Sequence, residues 1–307
     1  MPDKRDLVDT LERRRRCAVR QPSDRPARLN ETKLKILEFI HLFGGFLTTG
    51  IIYEYALRTG LTTAKKRKYI SHVLLQMYHD LGVLERPRKQ RRVELPDRFD
   101  TVHSISKKGI ELLKERGLFS EHAPRMTGFY EHQMMTSCLY ASYYLNALAR
   151  NIPFTPQHEL LARVDHSSAI SIDGQPVYPD AVFMLELDKP VLIFLEADRA
   201  TEWGDQDDKR KTWGRSVKQY AQIIGGKLYK NHYGVSSNTA AILQAVTIAP
   251  AMEGKILRCI SEQFPNGCAY MMVHTTDAFG LEFHAPAPID ILGQSWNRAG
   301  KDAFKLV

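Results

Sequence analysis

The sequence predicts an α+β chain in two parts, a basic helical module followed by an α/β domain, and three observations predict it. Charge is uneven: through Arg116 there are 26 Lys and Arg against 15 Asp and Glu, a net of +11, while the remainder holds 17 against 20, a net of −3. Apolar residues recur at helical spacing from Asn30 to about Arg116, whereas beyond Pro153 short apolar runs alternate with two helical segments. In that second part, YPDAVFMLELDKPVLIFLEADRATEW, from Tyr178 to Trp203, sets two apolar runs about one turn signal and places carboxylates at their ends.

Bulk composition fits a soluble globular protein. At 307 residues, 43% hydrophobic and 9% aromatic, the chain has the length for two domains and the apolar content for packed cores. No stretch approaches the ~18 consecutive apolar residues of a membrane span, and the start, MPDKRDLVDTLERRRR, lacks the apolar core of a signal peptide. A cytoplasmic protein with no membrane segment is expected. The cysteines at 17, 138, 259 and 268 form no CxxC pair and no zinc-ligand cluster, so they read as reduced thiols. The basic front favours a polyanionic partner, most often nucleic acid. The lack of a Gly-rich phosphate loop or a GxSxG elbow argues against a soluble metabolic enzyme.

Residues 1–29 carry RRRR at 13 to 16 with little apolar periodicity and read as a basic flexible arm. Asn30 is a plausible N-cap for a helix bearing Leu34, Leu37 and Ile40, which stops at Gly44-Gly45. TTGIIYEYALRTG and LTTAKKRKYISHVLLQMYHDLGVL each open with threonines suited to capping and carry an apolar stripe. Lys65, Lys66, Arg67 and Lys68 fall in the first turns of the third helix. Val83 to Arg86, a loop with Arg88, Lys89, Arg91 and Arg92, and a return through Val102 to Ile105 describe a basic hairpin, closed by the helix SKKGIELLKERG. Three helices, a hairpin and a closing helix over 30–120 predict a winged helix-turn-helix, with basic clusters where a recognition helix and a wing meet DNA. Such contacts supply affinity and name no base sequence.

A helix within 121–152 links this module to the α/β domain at 153–280, and 281–307 reads as a C-terminal tail. In the linking helix Tyr140, Tyr143 and Tyr144 fall at spacings of three and four and read as a packing stripe, with His132 nearby carrying no assigned role. The α/β domain is expected to run through FTPQHELLAR, AISIDGQPVYPD, AVFMLEL, VLIFLEA, a helix from about 208 to 224, AILQAVTIA, a helix from 253 to 264 and CAYMMVHTT.

Asp188-Lys189-Pro190 is the turn signal between AVFMLEL and VLIFLEA, so the runs should pair antiparallel with facing residues whose numbers sum to about 376. Asp180 and Glu196 satisfy that sum, and opposed residues hold their Cβ atoms within ~4.5 to 5.5 Å. Asp198 follows on the same face. Both faces of the middle are apolar, so the hairpin is expected to be central and covered by helices. Like charges at the end of such a sheet repel unless a cation neutralises them. Two readings stand: the acids pair with Arg199, Arg163 or other cations, or they hold Mg²⁺ or Mn²⁺, which prefer carboxylate oxygens.

The Pro-Asp pair opening one strand in YPDAVF and the Glu196 ending the next in IFLEAD resemble the core of the PD-(D/E)xK restriction-endonuclease fold. PDAVF followed by LEADRATEW and a Lys/Tyr-bearing helix, all behind a basic winged helix, resembles the replication-relaxation family of plasmids and mobile elements, over residues 30 to about 275. The resemblance implies a divalent-metal-dependent DNA endonuclease or nickase, relaxase-like, acting in replication or transfer. It implies Asp180 and Glu196 as Mg²⁺ or Mn²⁺ ligands and Glu159 as a third, directly or through water. Asp198, Arg199, Thr201 and Glu202 match the family's polar run. One departure is that the fold's lysine, two residues after the metal-binding Glu, is Asp198 here. Lys218, at the edge of the next helix's buried stripe of Trp213, Val217, Tyr220 and Ile224, is the candidate replacement, with Lys211 the runner-up. The implied partners are double-stranded DNA of a plasmid or mobile-element origin and a conjugation or replication protein. Water is the favoured nucleophile, with Tyr130 and Tyr220 the tyrosine alternatives. The rival readings are a catalytically degenerate, sequence-specific DNA-binding regulator and a relaxase accessory protein.

Overall fold

Asn30 caps the first described helix as its sequence suggests, its side chain accepting from Lys33 N at 3.0 Å at the head of α1 (Glu31–Leu42). The computed structural model describes residues 20, 22–24, 27–63, 67–87, 100–124, 129–164, 166–199, 212–280 and 286–307. The chain divides into two units, Met1–Ser120 with His284–Pro288 and Glu121–Phe283 with Ile289–Val307.

In the first unit α1 buries Ile36, Leu37 and Ile40 and ends ahead of Gly44 and Gly45, whose φ of 91° and 83° suit residues without a Cβ. A strand the periodicity did not announce, β1 (Phe46–Thr48), follows, and Thr48 Oγ1 then caps α2 (Thr49–Arg58) through Ile51 N. The third helix, α3 (Lys68–His79), buries Ile70, Val73, Leu74 and Met77 but has no side-chain cap: Arg67 stands at its head, and the threonines lie too far upstream to serve. β2 (Leu84–Glu85) and β3 (Val102–Ile105) form the expected antiparallel hairpin through Leu84↔Ile105 and Glu85↔Ser104, and β1 adds to β3. Ser106 caps α4 (Lys107–Glu115) by accepting from Gly109 N. The expected arm is tied down at its inner end: Arg20 donates to the carbonyls of Gly82 and Leu84, and Asp80 accepts from Ser23 N and Ala27 N.

The second unit opens with α5 (Tyr130–Ala149), then β4 (Phe154–Thr155), α6 (Gln157–Ala162), and the small hairpin of β5 (Ile170–Ile172) and β6 (Gln175–Val177). FTPQHELLAR, expected as strand, is divided between β4 and α6. After β7 (Ala181–Glu186) and β8 (Pro190–Asp198) come α7 (Trp213–Tyr220), a π-helical turn (Ala221–Gly225) and α8 (Leu228–His232). β9 (Ala240–Thr247), α9 (Pro250–Gln263) and β10 (Met271–Thr275) follow, and β11 (Trp296–Arg298) and β12 (Lys301–Phe304) lie in the segment expected as a tail. Among the described residues seven strands form one sheet, in the order β12-β11-β10-β9-β8-β7-β4, with β8 to β9 and β9 to β10 parallel. No described helix is long and apolar enough to cross a membrane.

Strand alternation explains how the sheet is buried on both sides. Ala181, Phe183, Ile193 and Leu195 face α5, where the Tyr140 and Tyr143 rings lie 5.4 and 4.8 Å from that of Phe183 and Tyr143 donates to Gln244 Oε1 of β9 at 2.6 Å. The tyrosine stripe is therefore packing, as its spacing indicated. Val182, Met184, Leu192 and Phe194 face the other way, into a cluster with Trp213, Val217, Tyr220, Ile224, Ile256 and Ile260. Cys138, Cys259 and Cys268 are free thiols.

A candidate acidic site at the end of the central hairpin

The β7–β8 register runs from Glu186↔Pro190 to Ala181↔Leu195, each pair summing to 376 as the turn signal required. Asp180 and Glu196 stand one step beyond the last pair. The Asp180 backbone N–H donates to Leu195 O at 3.1 Å, and its carboxylate turns onto the neighbouring strand, with Oδ2 accepting from Ala197 N at 2.8 Å. On the side of α5, His132 Nε2 lies 3.0 Å from Asp180 Oδ1.

Glu196 shares its face of β8 with Phe194 and is only 3% exposed. A carboxylate so buried requires donors. Tyr220, last residue of α7, provides one: its hydroxyl donates to Glu196 Oε1 at 2.5 Å. Burial raises the Tyr220 phenol well above its usual value, and the charge of Glu196, the hydrogen bond to it and the charge of Asp180 raise it further. Asp198, 6% exposed and two residues on, accepts from Trp213 Nε1 at 2.5 Å in the first turn of the same helix. Arg199 pairs with Glu131 at 3.6 Å. Arg163 is exposed at the end of α6.

The structure thus gathers Asp180, Glu196 and Asp198 at one end of the hairpin with His132, Tyr220 and Trp213 as their donors. It does not bring Lys218 there. Lys218 is exposed, and two residues of helix set it about 200° round the axis from Tyr220. Glu159 is exposed in the first turn of α6. Lys211, Thr201 and Glu202 lie outside the described residues. Among the described residues no group of three or more His, Cys, Asp or Glu side chains is arranged to hold a metal ion. Tyr130, half-buried, has its phenol raised mainly by burial, so neither candidate tyrosine is tuned toward the phenolate. Sequence reasoning gave His132 no role, assigned Trp213 to packing, and gave Tyr220 packing with a nucleophile's role as the alternative. The missed signal was complementary: a buried phenol and a buried carboxylate each require a partner.

In the first unit, Arg67, Lys68 and Tyr69 are exposed at the start of α3, with Arg67 ion-paired to Asp100, which also accepts from Gly50 N. Lys65 and Lys66, like Arg88, Lys89, Arg91 and Arg92 of the hairpin, lie outside the described residues.

No curated protein matches this chain, and no solved structure does. A family model described as replication-relaxation matches residues 44–239, which is more than half of the chain. That span holds every residue of the acidic cluster and each of its donors. The chain belongs to the replication-relaxation family.

Proposed function

We propose that this protein is a DNA-binding, divalent-metal-dependent endonuclease or nickase that acts in the replication or transfer of a plasmid or mobile element. The observation that carries the reading is that Asp180 and Glu196 stand one step beyond the β7–β8 register, at the end of a sheet buried on both faces. The family's description supports the replication setting.

Asp180 and Glu196 offer hard carboxylate oxygens, a donor chemistry that fits Mg²⁺ or Mn²⁺, and Glu159 is the candidate third ligand, directly or through water. When bound, such an ion supplies polarisation of a phosphate oxygen and a water of lowered pKa, the favoured nucleophile for phosphodiester cleavage. The protein's own share is to orient the acids: His132 and Ala197 N fix Asp180, and Tyr220 fixes Glu196. With Lys218 on the solvent side of α7, Lys211 is the remaining candidate for stabilising developing negative charge. The first unit reads as a winged helix-turn-helix in which Arg67 and Lys68 of α3, with Lys65, Lys66 and the hairpin's Arg88, Lys89, Arg91 and Arg92, contact the phosphates of double-stranded DNA. A conjugation or replication protein is the further partner.

One observation favours a second reading. Asp198 occupies the position of the fold's lysine and is engaged inward by Trp213, while Lys218 is on the solvent side of α7. A domain without a lysine at the acids would serve as a catalytically degenerate DNA-binding regulator or as an accessory to another relaxase. Incubation with supercoiled plasmid, including DNA of the protein's own element, with and without Mg²⁺ or Mn²⁺, separates the two. Metal-dependent open circles, abolished by Asp180→Ala and by Glu196→Ala, support the nickase. DNA binding without cleavage supports the regulator.

A further inference from the structure

The acids at the hairpin's end are approached by donors from both layers that cover the sheet. His132 comes from the first turn of α5 and Tyr220 from the last turn of α7. Tyr220 is 1% exposed, and its ring lies 5.5 Å from that of Phe194 on the strand that carries Glu196, so the direction of its hydroxyl is set by packing. A π-helical turn follows it at once, and such turns frequently occur at functional sites. A carboxylate with one oxygen bound to a fixed donor has its terminal torsion fixed, and its second oxygen is thereby aimed. At Asp180 both oxygens are engaged, Oδ1 by His132 and Oδ2 by Ala197 N, so the plane of that carboxylate is fixed from two sides.

We propose that Tyr220 and His132 are positioning residues that hold Glu196 and Asp180 in the orientation needed to bind a divalent cation. This rests on the metal-dependent reading above. Metal-ligating carboxylates are themselves hydrogen-bonded, and loss of such an outer partner typically weakens metal affinity by about 10–100-fold. Tyr220→Phe removes one oxygen and keeps the ring against Phe194. His132 is one-third exposed, so His132→Ala probes the second acid with little effect on the core.

The test is calorimetric titration of Mn²⁺ into the full chain. The control is Tyr229→Phe, which removes a phenol of the same apolar cluster whose hydroxyl donates to Thr239 O and not to an acid. Tyr220→Phe and His132→Ala should each bind Mn²⁺ about 10–100-fold more weakly than the unmodified protein, with Tyr229→Phe unchanged and His132→Gln, which retains an N–H donor, intermediate. If Tyr220→Phe does not fold, His132→Ala against His132→Gln decides alone. Unchanged affinity in the variants, or an equal loss in Tyr229→Phe, overturns the positioning role and leaves the metal reading standing. No Mn²⁺ uptake by the unmodified protein overturns both.

Discussion

His132 Nε2 and Asp180 Oδ1 lie 3.0 Å apart, joining the first turn of α5 to the residue that precedes β7. The same carboxylate accepts from Ala197 N of β8, so a single side chain bridges a helix and two strands. Asp180→Ala therefore removes an acceptor as well as a charge. It should cost about 1–3 kcal/mol, because a partly buried donor is left unsatisfied. The urea midpoint measures it, and Asp180→Asn, which retains one acceptor oxygen, should lose less stability while still losing plasmid cleavage.

Arg67 and Lys68 are neighbours with different commitments: Arg67 is paired with Asp100, and no ion pair is found for Lys68 among the described residues. If α3 meets phosphates, Lys68→Ala should lower the slope of log affinity against log salt by about 0.9, and Arg67→Ala by less. Fluorescence anisotropy with a labelled duplex across a salt series reads both. Equal slopes for Lys68→Ala and the unmodified protein would remove Lys68 from the interface.

His103 is buried in β3, with Nε2 3.1 Å from Thr49 Oγ1. Its pKa is lowered to about 3, first by burial and then by the charges of Arg86 and Arg67. The unfolded chain takes up this proton near pH 6.5 and the folded chain does not, so stability is fully present above about pH 6.5 and declines as pH falls toward about 3. Between pH 7.5 and 5.5 the first unit should lose about 1.4 kcal/mol through this group alone. Denaturant midpoints for the unmodified protein and His103→Gln at both pH values isolate it, and the variant should lack that increment.

Asp80 accepts from the backbone of Ser23 and Ala27, and the Ser23 bond is the first cause holding its carboxyl below the usual range. Asp80→Ala should free this stretch while α1 to α4 stay folded. Limited trypsin digestion should then cut after Arg20 or Arg28 faster than in the unmodified protein, as read by mass spectrometry. An unchanged rate would show that the Arg20 contacts with Gly82 and Leu84 hold the segment by themselves.

What was legible in the sequence was local. The Asp188-Lys189-Pro190 turn set the hairpin register to the residue, Asn30 announced its cap, and the stripe of Trp213, Val217, Tyr220 and Ile224 gave the buried face of α7 and of the π-helical turn after it. β1 was missed because a three-residue strand in Gly-Phe-Leu-Thr has no period of its own and exists by pairing with β3, far along the chain. β11 and β12 were missed because they are short and together carry more polar than apolar residues, so neither shows an apolar run. The acids were found, but their donors were not. Which residue of α7 reaches Glu196 depends on how the helix is rotated over the sheet, and packing between layers decides that. His132 was hidden in the same way, since its partner lies 48 residues on.

The parallel pairing of β8 with β9 has a kinetic consequence. β7 and β8 are joined by a tight turn and can meet early, whereas β9 reaches β8 only after the crossover that contains α7 has been gathered, and such long-range closures are slow. Glu196 and Asp198 lie on β8 beyond its last pair with β7, and their ladder partners are Ala245 and Thr247 of β9, while Tyr220 and Trp213 belong to the crossover that closes late. During synthesis, a chain still lacking β9 would have the early hairpin but not the strand that sets its acids in register. The acidic end of the sheet reaches its final form only when the far strands have docked.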